Sequence, residues 1–453
     1  MWAAIAVGLW LAFSGFVWLS AMLTRRRERA RIRAQAAAAG DDAVLIAFAS
    51  QTGFGEELAQ MTASALEQGG LGARVVSFAD LDTAMLKEAR RALFVVSTTG
   101  EGDPPDSAAR ALRQVLGADT DLSGLSYGLL ALGDREYRDF CGFGHAVDGW
   151  LRRNGAAPLF DVVEVDDADP AAIRHWQHQL NQITGSTAAP DWTPPAYDRW
   201  RLVEQRRLNA GSPGGPAFHL AFEPIDHAAD WQAGDIVEMG VPAPEGSAPG
   251  GAEAPAAREY SIASLPSDGR LELLVRRMAR PDGTPGLASG WLTQTAALGD
   301  EVAMRVRPNR SFHGPDATTP MILIGNGTGL AGLRAHLRAR QGANGGTWLL
   351  FGERTSAHDA FHDTELQAAL SDGALTRLDR CFSRDAGDGR YVQQLITEQA
   401  AEIAAWIERG AVLYVCGSLE GMASGVQAAL ESVLGAEQIV DLVETGRYRR
   451  DVY

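Results

Sequence analysis

The stretch AVLIAFASQTGFGEEL, residues 43–58, decides the fold of the first half of this chain. Its first seven residues are apolar and of strand length, Ser50–Gly55 are small or hydroxylated apart from Gln51 and Phe54, and EELAQMTASALEQ (56–68) reads as a helix. The same order returns twice. RALFVVSTT (91–99) runs into STTGEGDPPDSA (97–108) and the helix-like SAARALRQVLGA (107–118), and YGLLALGD (127–134) opens into LGDREYRDFCGFG (132–144). Strands alternating with helices predict a doubly wound parallel sheet, whose ligands sit beyond the carboxyl ends of the strands. The loops after the three strands are therefore the candidate site. Hydroxyls and backbone N–H groups at a helix start suit a phosphate, and Tyr137 and Phe140 offer rings to a flat ligand.

Composition sets the bounds. The 453 residues are 46% hydrophobic, enough for two or three cores. The net charge of −16 argues against a nucleic-acid partner. Cys141, Cys381 and Cys416 are odd in number and far apart, which fits neither a disulfide framework nor a metal site. WAAIAVGLWLAFSGFVWLSAML (2–23) carries no charge and is followed by six arginines between Arg25 and Arg33. An apolar run of this length predicts a transmembrane anchor over 1–24, with a basic juxtamembrane tether over 25–42. Positive charge after the apolar segment predicts a single-pass inner-membrane protein with its catalytic body in the cytoplasm.

GSTAAPDWTPPAYDR (185–199) reads as a linker. Beyond it FHLAFEP (218–224), GDIVEMGV (234–241) and RLELLVRRM (270–278) read as strands of a barrel. PMILIGNGTGLAGLRAHL (320–337) is a strand, a glycine-rich turn and a helix. LLFGER (349–354) and LYVCGSLEGM (413–422) add two strands with loops.

On these motifs the chain resembles the diflavin reductases, of the sulfite reductase flavoprotein and NADPH–haemoprotein reductase type. ASQTG, STTGEGDPP and LGDREYRDFC resemble that family's FMN loops. The resemblance implies that Ser50, Gln51, Thr52, Gly53 and Gly55 hold the FMN phosphate. It implies that Thr98, Thr99, Gly100, Gly102, Leu132, Gly133, Asp134, Tyr137, Phe140 and Cys141 line the ring. Phe54 replaces the family's usual small polar residue, which removes one phosphate ligand, and Thr99 replaces its usual Tyr or Gln, so stacking falls to Tyr137. AREYSIASL (257–265) resembles the R-x-Y-S motif of ferredoxin-reductase-like FAD domains. Arg258 would pair with the pyrophosphate, Tyr260 stack on the flavin, and Ser261 bond the nitrogen that receives hydride. GLASGWL (286–292) resembles the second FAD motif, with the amides of Gly286, Leu287 and Ala288 on the pyrophosphate and Ser289 near the helix cap. Gly325, Gly327, Thr328 and Gly329 match the nicotinamide-nucleotide turn, in which Asn326 replaces the usual proline. Cys416 matches the family's Cys-Gly-Asp stretch, and Ser418 replaces its acid. CFSRDAGDGRYVQQL (381–395) resembles the stretch that selects NADPH, through Ser383, Arg384, Arg390 and Tyr391, with Arg354 as a further contact. RYRRDVY (447–453) resembles the family's C-terminus. Tyr453 would cover the flavin, and Asp451 would join Ser261 and Cys416 on the hydride path as the catalytic set.

The resemblance implies an α/β plus β-barrel protein. After the transmembrane helix come a flavodoxin-like FMN domain over 43–184 and a linker over 185–199. A ferredoxin-reductase-like FAD barrel over 200–317 and an NADPH-binding α/β domain over 318–453 follow. The family's helical connecting domain has no counterpart; residues 241–257, rich in Pro, Gly and Ala, are expected as a flexible loop in its place. The implied function is an NADPH-dependent oxidoreductase passing electrons from NADPH to FAD to FMN. From there they reach a haemoprotein or ferric complex at the cytoplasmic membrane face. The alternatives are a sulfite reductase flavoprotein component and a non-catalytic flavin redox sensor. No metal is expected.

Overall fold

The computed structural model describes residues 43–135, 137–185, 192, 196–240, 257–280 and 283–452. These fall into two compact units, one holding the first strand through Ser50 and Gly55–Trp192, the other holding Gln51–Phe54 and the chain from Thr193 onward.

The first unit is a parallel sheet flanked by helices. Its elements are β1 (Val44–Ala49), α1 (Phe54–Gln68), β2 (Ala73–Ser77), α2 (Thr83–Glu88), β3 (Arg91–Ser97) and β4 (Ser126–Gly133). They continue with α3 (Gly142–Arg153), β5 (Ala157–Pro158), β6 (Val163–Asp166) and α4 (Pro170–Thr184). The strand order is β2-β1-β3-β4-β5, with β6 also paired to β4, and every pairing is parallel. β1, β3 and β4 are continuous apolar runs because helices cover both faces of the sheet. Phe78, Phe94, Phe143 and Tyr127 meet edge to face in one core. On the other face, buried Trp176 of α4 donates from Nε1 to Thr62 Oγ1 of α1 at 3.0 Å. The helix expected over 107–118 is broken into a short 3₁₀ turn, a single α turn at Ala109–Ala111 and wider turns over Leu112–Leu116.

The second unit joins two sheets. β7 (Asp198–Arg207), β8 (Ala217–Pro224), β9 (Ile236–Gly240), β10 (Ala257–Ser261), β11 (Leu271–Arg276) and β12 (Glu301–Arg307) form an antiparallel sheet in the order β10-β9-β12-β7-β8-β11. Alternate residues of its strands, among them Trp200, Leu202, Phe222, Val237, Met239, Leu273 and Met304, converge on one core, so the sheet curls as a barrel does. The rest is a parallel α/β layer. It contains β13 (Met321–Asn326), α5 (Leu330–Ala339), β14 (Thr347–Glu353), α6 (Asp363–Ser371), β15 (Arg377–Phe382), α7 (Val392–Glu398) and α8 (Ala400–Glu408). β16 (Val412–Gly417), α9 (Ser424–Leu434), α10 (Ala436–Glu444) and β17 (Tyr448–Val452) complete it. The order β15-β14-β13-β16-β17 reverses direction at β13, which places a switch point between the ends of β13 and β16.

The two layers share a core in which Ala217, Ala263, Leu274 and Phe312 pack with Leu323, Leu333 and Tyr414. They also share buried charge. Arg334 of α5, 3% exposed, donates to Glu272 Oε2 of β11 at 2.5 Å, to the Ala263 carbonyl at 2.8 Å and to Glu365 of α6 at 2.8 Å. Burial alone would raise the Glu272 carboxyl; Arg334 more than offsets this and holds it below its usual value.

The expected inner-membrane placement is corrected. Among the described residues no helix is long and apolar enough to cross a membrane. Residues 1–42, which contain the expected anchor and tether, lie outside the described residues, as do 241–256 of the expected flexible loop.

Candidate functional site

In the first unit the loops after β1, β3 and β4 gather at one edge of the sheet. Ser50 Oγ accepts from Gly55 N at 3.2 Å, and Ser107 is tied to the Ser50 backbone, donating to its carbonyl at 3.1 Å. Thr98 Oγ1 accepts from Phe143 N at 3.3 Å, and Glu101 from Arg138 N at 3.1 Å, so the second and third loops brace each other. Gly102 has φ +119°, and a Cβ there would stand 2.7 Å from Asp139 Cβ. Tyr137 is exposed, as a stacking ring requires, and the Arg135 guanidinium lies 4.2 Å over the Phe140 ring. Gln51, Thr52, Gly53, Thr99, Gly100, Leu132, Gly133 and Asp134 all fall in these loops or at the strand ends beside them. Cys141 departs from the expectation. Its thiol is fully buried in the core and donates to the Ala131 carbonyl at 3.3 Å; burial, then the Glu164 charge, pushes it up to about 12.

In the second unit β10 carries the R-x-Y-S residues. Arg258 is exposed and Tyr260 half-buried against the barrel core, its phenol pushed up to about 12 by burial. Ser261, next along the strand, reaches the α/β layer: its Oγ donates to Asp451 Oδ2 of β17 at 2.6 Å. Cys416 Sγ lies 3.7 Å from the same oxygen, because β16 and β17 pair with Cys416 opposite Asp451. Residues 190 and 35 positions apart in sequence thus form one buried cluster. Burial raises the Asp451 carboxyl despite the Ser261 hydroxyl, and burial with the Asp451 charge raises the Cys416 thiol well above its usual value. Tyr453 lies outside the described residues.

A short helical turn begins at Leu287 with Gly286 before it, and no side chain caps it. Ser289 is not that cap; its buried hydroxyl accepts from Met278 N at 3.1 Å, fastening the turn to the end of the barrel.

The dinucleotide turn Gly327–Gly329 sits at the switch point. Cβ atoms at Gly325 and Gly329 would fall 2.6 and 2.2 Å from the Cys416 carbonyl oxygen. That absence of side chains brings the turn against the end of β16. Asn326 and Ser418, noted separately in the sequence as departures, touch: Ser418 N donates to Asn326 Oδ1 at 3.3 Å and links the two strand ends. Sequence reasoning also missed Glu353. It takes Arg276 Nη2 at 2.9 Å and Arg354 N at 2.8 Å beside Gly327, and only the fold brings those residues together.

Ser383 N and Arg384 N donate to the Glu353 and Arg354 carbonyls at 2.8 and 2.7 Å, tying the turn after β15 to the end of β14. Arg354 and Arg384 are both exposed and are joined by that backbone hydrogen bond. Arg390 is placed differently, with Nε 2.5 Å from Asp388 Oδ1 and Nη1 2.6 Å from Glu398 Oε2. Tyr391, half exposed, precedes α7 as its N-cap, and Gln394 Oε1 accepts its N–H.

A nucleotide-type parallel sheet in one unit, with a barrel joined to a dinucleotide sheet in the other, defines a flavin- and pyridine-nucleotide-dependent oxidoreductase. Residues 46–176 match the flavodoxin family and residues 323–428 the oxidoreductase NAD-binding domain family. Curated relatives are named sulfite reductase (NADPH) flavoprotein alpha-component. That of Bacillus subtilis is 28% identical, covering 96% of this chain and 95% of the relative. That of Vibrio cholerae is 27% identical over 92% and 89%, and that of a Shewanella strain 29% over 96% and 94%. The chain belongs to the diflavin reductase family, and is an NADPH-dependent oxidoreductase that uses FMN and FAD. The Bacillus alignment runs over 577 positions, more than the 453 residues of this chain, so the relative carries segments with no counterpart here.

Proposed function

We propose that this protein draws electron pairs from NADPH and delivers single electrons to a separate acceptor, a haemoprotein or a ferric complex. The bound flavins supply the redox chemistry, taking a pair from the nicotinamide and releasing it singly. The chain's own residues do the rest. Ser50, Gly55 and the braced second and third loops would hold FMN at the sheet edge, with Tyr137 on its ring. Tyr260 and Arg258 would hold FAD against β10, together with the turn at Gly286. The glycine turn at Gly327–Gly329 would seat the NADPH phosphates, with the adenosine 2′-phosphate toward Arg384. The Ser261–Asp451–Cys416 cluster is the observation that carries this reading. It places a hydroxyl, a thiol and a carboxyl in one water-poor pocket at the junction of the barrel and the dinucleotide layer, where a proton can be held at Asp451 Oδ2.

Around the FMN edge Glu101, Asp103, Asp139, Asp167 and Asp169 are exposed, which suits an acceptor with a basic face. A flavoprotein component of a sulfite reductase is a second reading, favoured by the relatives' names; the segments missing from this chain weigh against it. The test is to purify the protein, extract its flavins and titrate it anaerobically. We expect equal FMN and FAD, bleaching by NADPH, and reoxidation by cytochrome c at a rate that falls with salt. Absence of flavin would overturn the reading, and flavin that NADPH cannot bleach would favour the redox-sensor alternative instead.

A further inference from the structure

The loop after β15 is held by a chain of three charged side chains. Asp388 Oδ2 accepts from Phe382 N at 2.7 Å, at the loop's start, and its Oδ1 accepts from Arg390 Nε at 2.5 Å, at the loop's end. Arg390 reaches on to Glu398 Oε2 at the last residue of α7, 2.6 Å away. Gly389 N closes the loop on the Phe382 carbonyl at 3.2 Å. The Arg390 hydrogen bond, more than the opposing burial, holds the Asp388 carboxyl below its usual range. A guanidinium between two carboxylates has its charge offset and its Nε and Nη1 engaged, so it is poorly placed to add a phosphate. Arg384, inside the loop, makes no ion pair among the described residues and is exposed. Its backbone is registered on Arg354 by the Arg384 N to Arg354 carbonyl bond of 2.7 Å.

Resting on the NADPH reading above, we propose that Asp388, Arg390 and Glu398 form a brace that positions Arg384 for the 2′-phosphate. Arg390 is then a positioning residue and Arg384 the specificity-determining one. The resemblance had grouped Arg390 with the phosphate ligands; the ion pairs place it in the scaffold behind them.

Binding and selectivity together test this, in the full chain with its flavins bound. Calorimetric titration compares adenosine 2′,5′-bisphosphate, which carries the discriminating phosphate without nicotinamide, with adenosine 5′-monophosphate. Arg384→Ala is expected to weaken the bisphosphate by about tenfold or more and leave the monophosphate unchanged. Arg390→Ala and Glu398→Gln are each expected to weaken the bisphosphate by about two- to fivefold. The double variant Arg384→Ala with Arg390→Ala should bind it no worse than Arg384→Ala alone, because the brace acts through Arg384. The NADPH-to-NADH ratio of kcat/KM should fall in the same order. A phosphate-ligand role predicts the opposite pattern: Arg390→Ala as damaging as Arg384→Ala, losses that multiply, and Glu398→Gln binding as well as wild type or better. That pattern would overturn the brace and leave the NADPH reading intact. A wild type that does not distinguish the two nucleotides would overturn both. If Arg390→Ala fails to fold, Glu398→Gln alone separates the two roles.

Discussion

Replacing Asp451 by asparagine is expected to slow NADPH-driven flavin bleaching by about a hundredfold or more, with both flavins still bound. Asparagine has nearly the same shape, and its carbonyl can still accept the Ser261 hydroxyl now bonded at 2.6 Å. What disappears is the ability to take and release a proton beside Cys416. The same change should stabilise the protein. The Asp451 carboxyl is raised by burial in the fold, so its charged form costs stability. A raised carboxyl costs nothing while it is protonated in both folded and unfolded chains, below the ordinary aspartate range near pH 4. The cost grows as pH rises through the folded value. The melting-temperature gain of Asp451→Asn should therefore be absent at low pH and largest in alkaline buffer. Stopped-flow bleaching and scanning calorimetry across pH check both halves. A variant that bleaches at the wild-type rate would reduce Asp451 to a packing residue.

Gly329→Ala is the second large effect. The added carbon would stand 2.2 Å from the Cys416 carbonyl oxygen and 2.6 Å from Gly417 Cα, backbone atoms that cannot rotate away. Overpacking of this kind costs about 1–3 kcal/mol or more, and here it pushes the turn at Gly327–Gly329 off the end of β16. NADPH affinity should fall by about a hundredfold. FMN content should be unchanged, because Gly55–Trp192, which carry most of the flavodoxin fold, cluster in the other compact unit. Fluorescence titration and flavin extraction read the two outcomes; unchanged NADPH binding would mean that the dinucleotide does not use this turn.

The central strands of both parallel sheets, β1, β3, β4, β13, β14 and β16, were legible because they are short and apolar, and the loops after β1, β3 and β4 followed from them, whereas β2, β5, β6 and β15 carry no such run. Partners across the chain were not legible. Asn326 and Ser418 each looked like a lost contact, and only pairing of β13 with β16 brings them within a hydrogen bond. Cys141 sits in a motif that faces the ligand edge, but its left-handed backbone (φ 54°) accompanies a thiol turned into the core. Arg390 reads as a spare cation until α7 supplies Glu398. Local pattern fixes where a residue lies along an element; its neutralising partner is set by packing, which a linear reading does not contain.

Arg334 has a consequence for how the molecule comes apart. A guanidinium with almost no solvent contact binds a barrel strand, the chain just before that strand and a helix of the dinucleotide layer. Cutting the polypeptide between 317 and 318 would strand that cation, or its acids, without counterions and expose the apolar seam beneath. Fragments made at that point should precipitate, whereas release after Trp192 should yield two pieces that each survive in solution. Heat should likewise collapse the barrel and the dinucleotide layer in one calorimetric event.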